Sequence, residues 1–154
     1  LGTGFGYDAK YLSSKYTITG VEISPKSAAI ARFENPGMEV VVEDMVKYDF
    51  GQNLYKGIWA RNSLHHIEEQ YQDLIFKKAF DCLVQDGIFY LIVREGEGEI
   101  TEINERGYQK VEKFFHLFNK EEIFERAKRA GFVVDKIETV VRSHNWLNAI
   151  LKKP

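Results

Sequence analysis

Apolar and polar positions along this chain follow two rhythms that take turns. Short runs rich in β-branched and aromatic residues, over positions 16–23, 38–42, 55–60 and 88–93, have the composition of strands. Between them, apolar residues recur three or four apart. Tyr7, Tyr11 and Leu12 mark a helix over 7–15, and Ser24-Pro25 supplies an N-cap and a proline at the first helical position for a helix over 26–33 that stops near Asn35-Pro36-Gly37. Positions 70–84, with Leu74, Ile75, Phe80 and Leu83, read as a longer amphipathic helix ended by Asp86-Gly87. The run Ile88 to Val93 is almost wholly apolar, as a strand covered on both faces would be. Beyond a helix over 120–129 stopped by Ala130-Gly131, strand-like runs at 132–141 and 145–151 are joined by Arg142-Ser143-His144 alone. So short a link has no room for a helical crossover, which makes that pair antiparallel. The Gly-Glu alternation from Glu95 to Glu99 and the polar residues to Gly107 read as a solvated, mobile loop.

Strand and helix in this alternation predict an α/β fold, a parallel sheet with helices on both faces and ligands at the carboxyl ends of the strands. One loop at such an end is distinctive. Leu1-Gly2-Thr3-Gly4-Phe5-Gly6 places glycine at every second position. Without a Cβ the main chain turns sharply and presents bare N–H groups to a ligand, ahead of a helix whose N-terminus faces it. A glycine-rich surface turn is the plain alternative.

Composition narrows the partners. A chain of 154 residues is the size of one domain, and 21 basic against 23 acidic residues give a net charge of -2. That balance is a poor footprint for gripping long nucleic acid. The lone Cys82 has no second thiol for a disulfide, so nothing calls for an oxidising compartment, and a cytoplasmic location is expected. No apolar run approaches the roughly 18 residues of a membrane span, so no membrane partner is expected. The remaining partner class is a small molecule. His65-His66 with Glu68 and Glu69 has the composition of a metal site, but adjacent residues at a helix start point apart, and no metal is expected.

The glycine run, an acid (Glu22) ending the next strand, an acid (Asp44) after the following one, the stretch Ser63-Leu64-His65-His66-Ile67 and the terminal hairpin together resemble the class I S-adenosylmethionine-dependent methyltransferases. The family's first motif is a strand ending Asp/Glu-x-Gly-x-Gly-x-Gly, of which Leu1 to Gly6 is the part after the acid. Leu83-Val84-Gln85-Asp86-Gly87-Ile88-Phe89-Tyr90 is similar to its L-x-x-G-G-x-x-Y passage, with Asp86 where the first glycine is common. The resemblance implies a Rossmann-like doubly wound sheet of order 3-2-1-4-5-7-6 with strand 7 antiparallel. It also implies a single domain over 1–154, incomplete at its N-terminus, with the first strand truncated.

What the resemblance implies for S-adenosylmethionine falls on named residues. Gly2, Thr3, Gly4 and Gly6 form the loop against it. Glu22 accepts from the ribose hydroxyls, as acids do in nucleotide folds generally. Ile23 lies on the adenine face, and Asp44 with the Met45 N–H reads the adenine edge. Arg61 or Asn62 holds the methionine carboxylate by a charge-assisted bond, unless the two cap the next helix. Methyl transfer is an in-line displacement that the protein aligns; His65 or His66 serves as base only if the acceptor must lose a proton, and the plainer reading packs one of them under the next helix and leaves the other in solvent. Arg94, Glu95 and Tyr108 follow the last apolar strand, where the acceptor is expected. The apolar Phe114, Phe115, Leu117 and Phe118 are expected in the core and on a dimer-prone surface, which leaves a homodimer open.

Two other readings share the glycine run. A nicotinamide-dependent oxidoreductase needs its final glycine where this chain has Tyr7, and has no use for Asp44. A non-catalytic subunit of the same fold would keep the pocket and lose the reaction. Within methyltransferases, the Asn/Asp-Pro-Pro-Tyr turn of enzymes acting on exocyclic nitrogens of nucleic acid is replaced by Arg61-Asn62-Ser63-Leu64, which agrees with a small acceptor.

Overall fold

Two parallel strands separated by a capped helix form the first of two units, Leu1–Asp49 and Phe50–Pro154, seen in a computed structural model that describes residues 1–106 and 109–154. In the first unit, α1 (Tyr7–Leu12) leads to β1 (Thr19–Glu22), α2 (Pro25–Glu34) and β2 (Glu39–Val42). The Ser24 side chain accepts the Ser27 N–H and Pro25 opens α2, as the sequence predicts. The small core consists of Ala28, Ala31 and Val40, with Met38 packed on it. Helix α1 is shorter than expected, giving way at Ser13 to turns.

The second unit holds β3 (Tyr55–Arg61), a 3₁₀ turn (Leu64–His66), α3 (Glu69–Cys82), β4 (Leu83–Arg94), β5 (Glu99–Arg106), β6 (Gln109–His116), α4 (Lys120–Ala130), β7 (Val133–Val141) and β8 (Asn145–Lys152). Its main sheet runs β3-β4-β8-β7. Strands β3 and β4 are parallel, and β8 is antiparallel to both β4 and β7, so the sheet is mixed. Along α3 the buried residues Gln72, Ile75, Phe76, Ala79 and Cys82 recur at helical spacing. They share the core with Phe89, Leu91, Val93, Leu147, Ala149 and Leu151 from the sheet and Ile123 and Ala127 from α4. Helix α4 is signalled at both ends: the Asn119 side chain accepts the Glu122 N–H, and Gly131 takes a left-handed φ of 104°.

Two expectations are corrected. The stretch read as a loop bends over Gly96–Gly98 as expected, but from Glu99 to Arg106 it is strand β5, paired antiparallel with β6 in register from Glu99↔His116 to Arg106↔Gln109. These two strands lie outside the main sheet, so they need no apolar alternation. Nor is β4 covered alike on both faces. Phe89, Leu91 and Val93 are fully buried, whereas Ile88 is 43% exposed and Tyr90 and Ile92 are partly so. No described helix is long and apolar enough to cross a membrane.

Candidate functional site

The glycine loop is fastened to β1 from two sides. Gly2 and Thr3 N–H both donate to the Val21 carbonyl, at 2.8 and 3.1 Å. Glu22, 8% exposed, accepts the Gly4 N–H on Oε2 at 2.7 Å and the Ser24 N–H on Oε1 at 2.9 Å. Gly2, Gly4 and Gly6 all have positive φ, at 64°, 57° and 83°. Their surroundings differ. A Cβ on Gly4 would meet nothing within 4 Å, while one on Gly6 would stand 2.5 Å from Asn35 Nδ2 and 3.2 Å from Ala31. Gly6 therefore serves the contact between α1 and α2, and Gly4 faces open space. Ile23, next to the buried carboxylate, is 67% exposed.

After β2, the Asp44 carboxylate accepts the Val46 N–H at 2.9 Å, and its carbonyl accepts from Lys47 and Tyr48. The Met45 N–H makes no hydrogen bond among the described residues.

The Phe50–Pro154 unit carries the remaining candidates. Asn62 ends β3 at φ 57°, its N–H on the Ile92 carbonyl at 2.9 Å. Arg61 and Asn62 line a recess of about 190 Å³ with Ile92, Val140, Arg142, Ser143, Trp146 and Asn148. The 3₁₀ turn that follows is tied to α3 by Gln72, whose amide donates to the Leu64 and Ile67 carbonyls at 2.9 and 2.7 Å.

That turn sends its two histidines to different places. His65 is buried, 1% exposed, with Phe115 and Trp146 rings at 5.4 and 5.7 Å, and its Nδ1 has no partner among the described residues. Burial, with the positive charges of His66, Arg94 and Lys113, pushes its pKa down to about 3. His66 is exposed, and its Nδ1 lies 2.8 Å from the Phe114 carbonyl. A carbonyl only accepts, so Nδ1 carries the proton and a neutral His66 keeps its Nε2 lone pair.

The acceptor-side candidates are engaged within the unit. Arg94 pairs with Glu102 at 2.7 Å, donates to His144 Nδ1 at 3.3 Å and lies over the Phe115 ring. Glu95 accepts the Thr139 hydroxyl at 3.1 Å. Tyr108 lies outside the described residues. Arg142, which lines the recess, was read from sequence as a mere link; its position at the carboxyl edge of the sheet was the available signal.

A family model described as a methyltransferase domain matches residues 1–87, more than half of the 154-residue chain. No curated protein matches it. Among solved structures it is similar to an S-adenosylmethionine-dependent methyltransferase from Methanosarcina mazei, at 17% identity and TM-score 0.84 over 99% of this chain and 89% of that one. A second is the Burkholderia thailandensis 1,6-didemethyltoxoflavin N1-methyltransferase with bound 1,6-didemethyltoxoflavin and S-adenosylhomocysteine, at 22% identity and TM-score 0.76 over 99% and 68%. A third is phosphoethanolamine N-methyltransferase 2 of Haemonchus contortus in complex with S-adenosylmethionine, at 19% identity and TM-score 0.77 over 99% and 47%. At these identities the likeness bears on the fold, which is α/β with a mixed sheet.

Proposed function

The chain belongs to the methyltransferase-domain family and is an S-adenosylmethionine-dependent methyltransferase, and on that premise we propose that it methylates a small-molecule acceptor by in-line displacement. The cofactor, when bound, supplies a methyl group already activated on a sulfonium, so the chain's own residues have to bind, align and exclude water. The observation that carries the reading is Glu22. Each of its carboxylate oxygens accepts one backbone N–H and keeps a second acceptor site, the arrangement two ribose hydroxyls require.

The remaining residues of the first unit fit the same ligand. The open space over Gly4 admits a group that any side chain would displace, and the exposed Ile23 offers an apolar surface to a flat ring. The Asp44 carboxylate and the Met45 N–H are the acceptor and donor proposed for an adenine amino group and its neighbouring ring nitrogen. In the second unit, Arg61 or Asn62 is the partner proposed for the methionine carboxylate.

For an acceptor that must lose a proton, His66 suits the task better than His65. Its exposed Nε2 is an acceptor fixed by the bond at Nδ1, whereas His65 is buried and stays neutral throughout the physiological range. The small-molecule acceptor is supported by the acidic charge balance and by similar structures that hold 1,6-didemethyltoxoflavin or phosphomonomethylethanolamine together with S-adenosylhomocysteine. The family match lends nothing to an oxidoreductase.

Isothermal titration with S-adenosylhomocysteine, followed by a screen of metabolite extracts with methyl-labelled cofactor, tests the proposal. Saturable binding and label transferred to a small product are expected. Folded protein that binds no adenosyl ligand sinks it.

A further inference from the structure

We infer that the recess at the carboxyl edge of the Phe50–Pro154 sheet recognises an oxyanion, carboxylate or phosphate, carried by the methyl acceptor. The inference rests on the methyltransferase reading and assigns a substrate class to it. Arg61, Ile92 and Asn148 are successive register partners across β3, β4 and β8, and Val140 pairs with Trp146 two residues along β8. Cross-strand partners share a face. These side chains therefore stand together on the face opposite Phe89, Leu91, Val93, Leu147 and Ala149, and the turn residues Arg142 and Ser143 join them around a recess of about 190 Å³.

The chemistry of the lining has one sign. It holds two guanidinium groups, two amides, a hydroxyl and an indole, on a chain whose net charge is -2, and the carboxylate next along the same register row, Glu138 beside Asn148, is outside the lining and paired with Lys136 at 2.6 Å. Guanidinium forks match carboxylate and phosphate oxygens two bonds at a time, which an ammonium cannot do. Ile92, Val140 and the Trp146 ring give the same recess an apolar wall. The ligand that fits has a charged head and a short apolar or aromatic body. Asn62, held in a left-handed conformation that a non-glycine residue adopts at a cost, turns the end of β3 at the same recess.

One guanidinium suffices for the methionine carboxylate of the cofactor. Arg142, on the β7–β8 turn, is the second, and it is the one assigned to the acceptor.

The test uses the full chain and three probes of one shape: phenyl phosphate, benzoate and neutral benzamide, each titrated with S-adenosylhomocysteine present. The anions are expected to bind at least about tenfold more tightly than benzamide, with phenyl phosphate against benzoate telling which head group is preferred. Arg142→Gln should abolish that preference, Arg142→Lys should restore part of it, and the variant's affinity for S-adenosylhomocysteine should stay within about twofold of the parent. Equal binding of charged and neutral probes overturns the inference. So does an Arg142→Gln variant that loses the adenosyl ligand as strongly as the anion, because Arg142 would then hold the cofactor. A chain that prefers the anions yet binds no S-adenosylhomocysteine leaves the recess intact and fails the methyltransferase proposal instead.

Discussion

The Glu22 carboxylate accepts the Gly4 N–H at 2.7 Å, fastening the end of β1 to the middle of the glycine loop. A residue proposed to hold the ligand thus also shapes the loop that the ligand meets. Glu22→Gln keeps one acceptor oxygen and turns an amide donor toward either the Gly4 or the Ser24 N–H. The expected result is a loss of S-adenosylhomocysteine affinity of about 10- to 100-fold, the size of one or two charge-assisted bonds, read by isothermal titration. An unchanged affinity would remove Glu22 from the ligand site.

Gly4 and Gly6 should separate binding from stability. Gly6→Ala forces a Cβ at φ 83° into Asn35 and Ala31, so it combines backbone strain with overpacking. A loss of about 2–4 kcal/mol is expected in urea unfolding. Gly4→Ala carries the backbone cost alone, about 1–2 kcal/mol, yet places its methyl in the open space proposed for the ligand. It should be the more stable variant and the weaker binder.

His65 should leave a mark on acid stability. Its pKa is about 3 in the folded chain and about 6.5 unfolded, so between those values only the unfolded state binds the proton. Stability therefore falls as pH drops through that window, by up to about 1.4 kcal/mol per pH unit from this residue. His65→Phe, which suits the neighbouring Phe115 and Trp146 rings, should flatten the dependence. An equally steep profile in the variant would assign the effect elsewhere.

Arg126, 6% exposed, joins α4 to α3. Its Nε donates to Glu122 at 2.8 Å and its Nη1 to Asp73 at 2.9 Å, while His116 Nε2 stands 2.7 Å from the same Glu122 oxygen. Burial works to raise the pKa of Glu122, but hydrogen bonds from His116 and Arg126 outweigh it, and the value is lowered. Its contribution is present above the usual carboxylate range and is lost as pH falls through the lowered value. Arg126→Met should cost about 1–3 kcal/mol near neutrality and lose less than the parent on acidification below about pH 4.5, by thermal unfolding at several pH values. Asp73 is well exposed, so most of the effect is expected from Glu122.

What could be read from sequence was what local chemistry specifies. Ser24-Pro25 and Gly131 mark helix ends because capping needs only neighbouring residues, and the three-residue link at Arg142 dictated an antiparallel pair by its length. The β5–β6 ribbon escaped because a two-stranded ribbon outside the main sheet leaves Ile103 and Val111 exposed and buries little beyond Phe115 and His116. With no buried face there was no period of two to see. One histidine packed inside and its neighbour in solvent is what the sequence favours and what the structure has, but how the turn is held was hidden. Gln72, eight residues beyond Leu64, ties the turn to α3. The recess brings β3, β4, β7 and β8 together, and no spacing along the chain announces that register.

Trp146 belongs to two neighbourhoods at once, as a wall of the recess and as a ring 5.7 Å from His65. The chain accordingly carries its own optical probe. With Trp59, whose ring lies tilted against Tyr90 at 4.3 Å between centroids, replaced by phenylalanine, the emission of a single indole reports both the filling of the recess and the arrival of a proton on the buried imidazole.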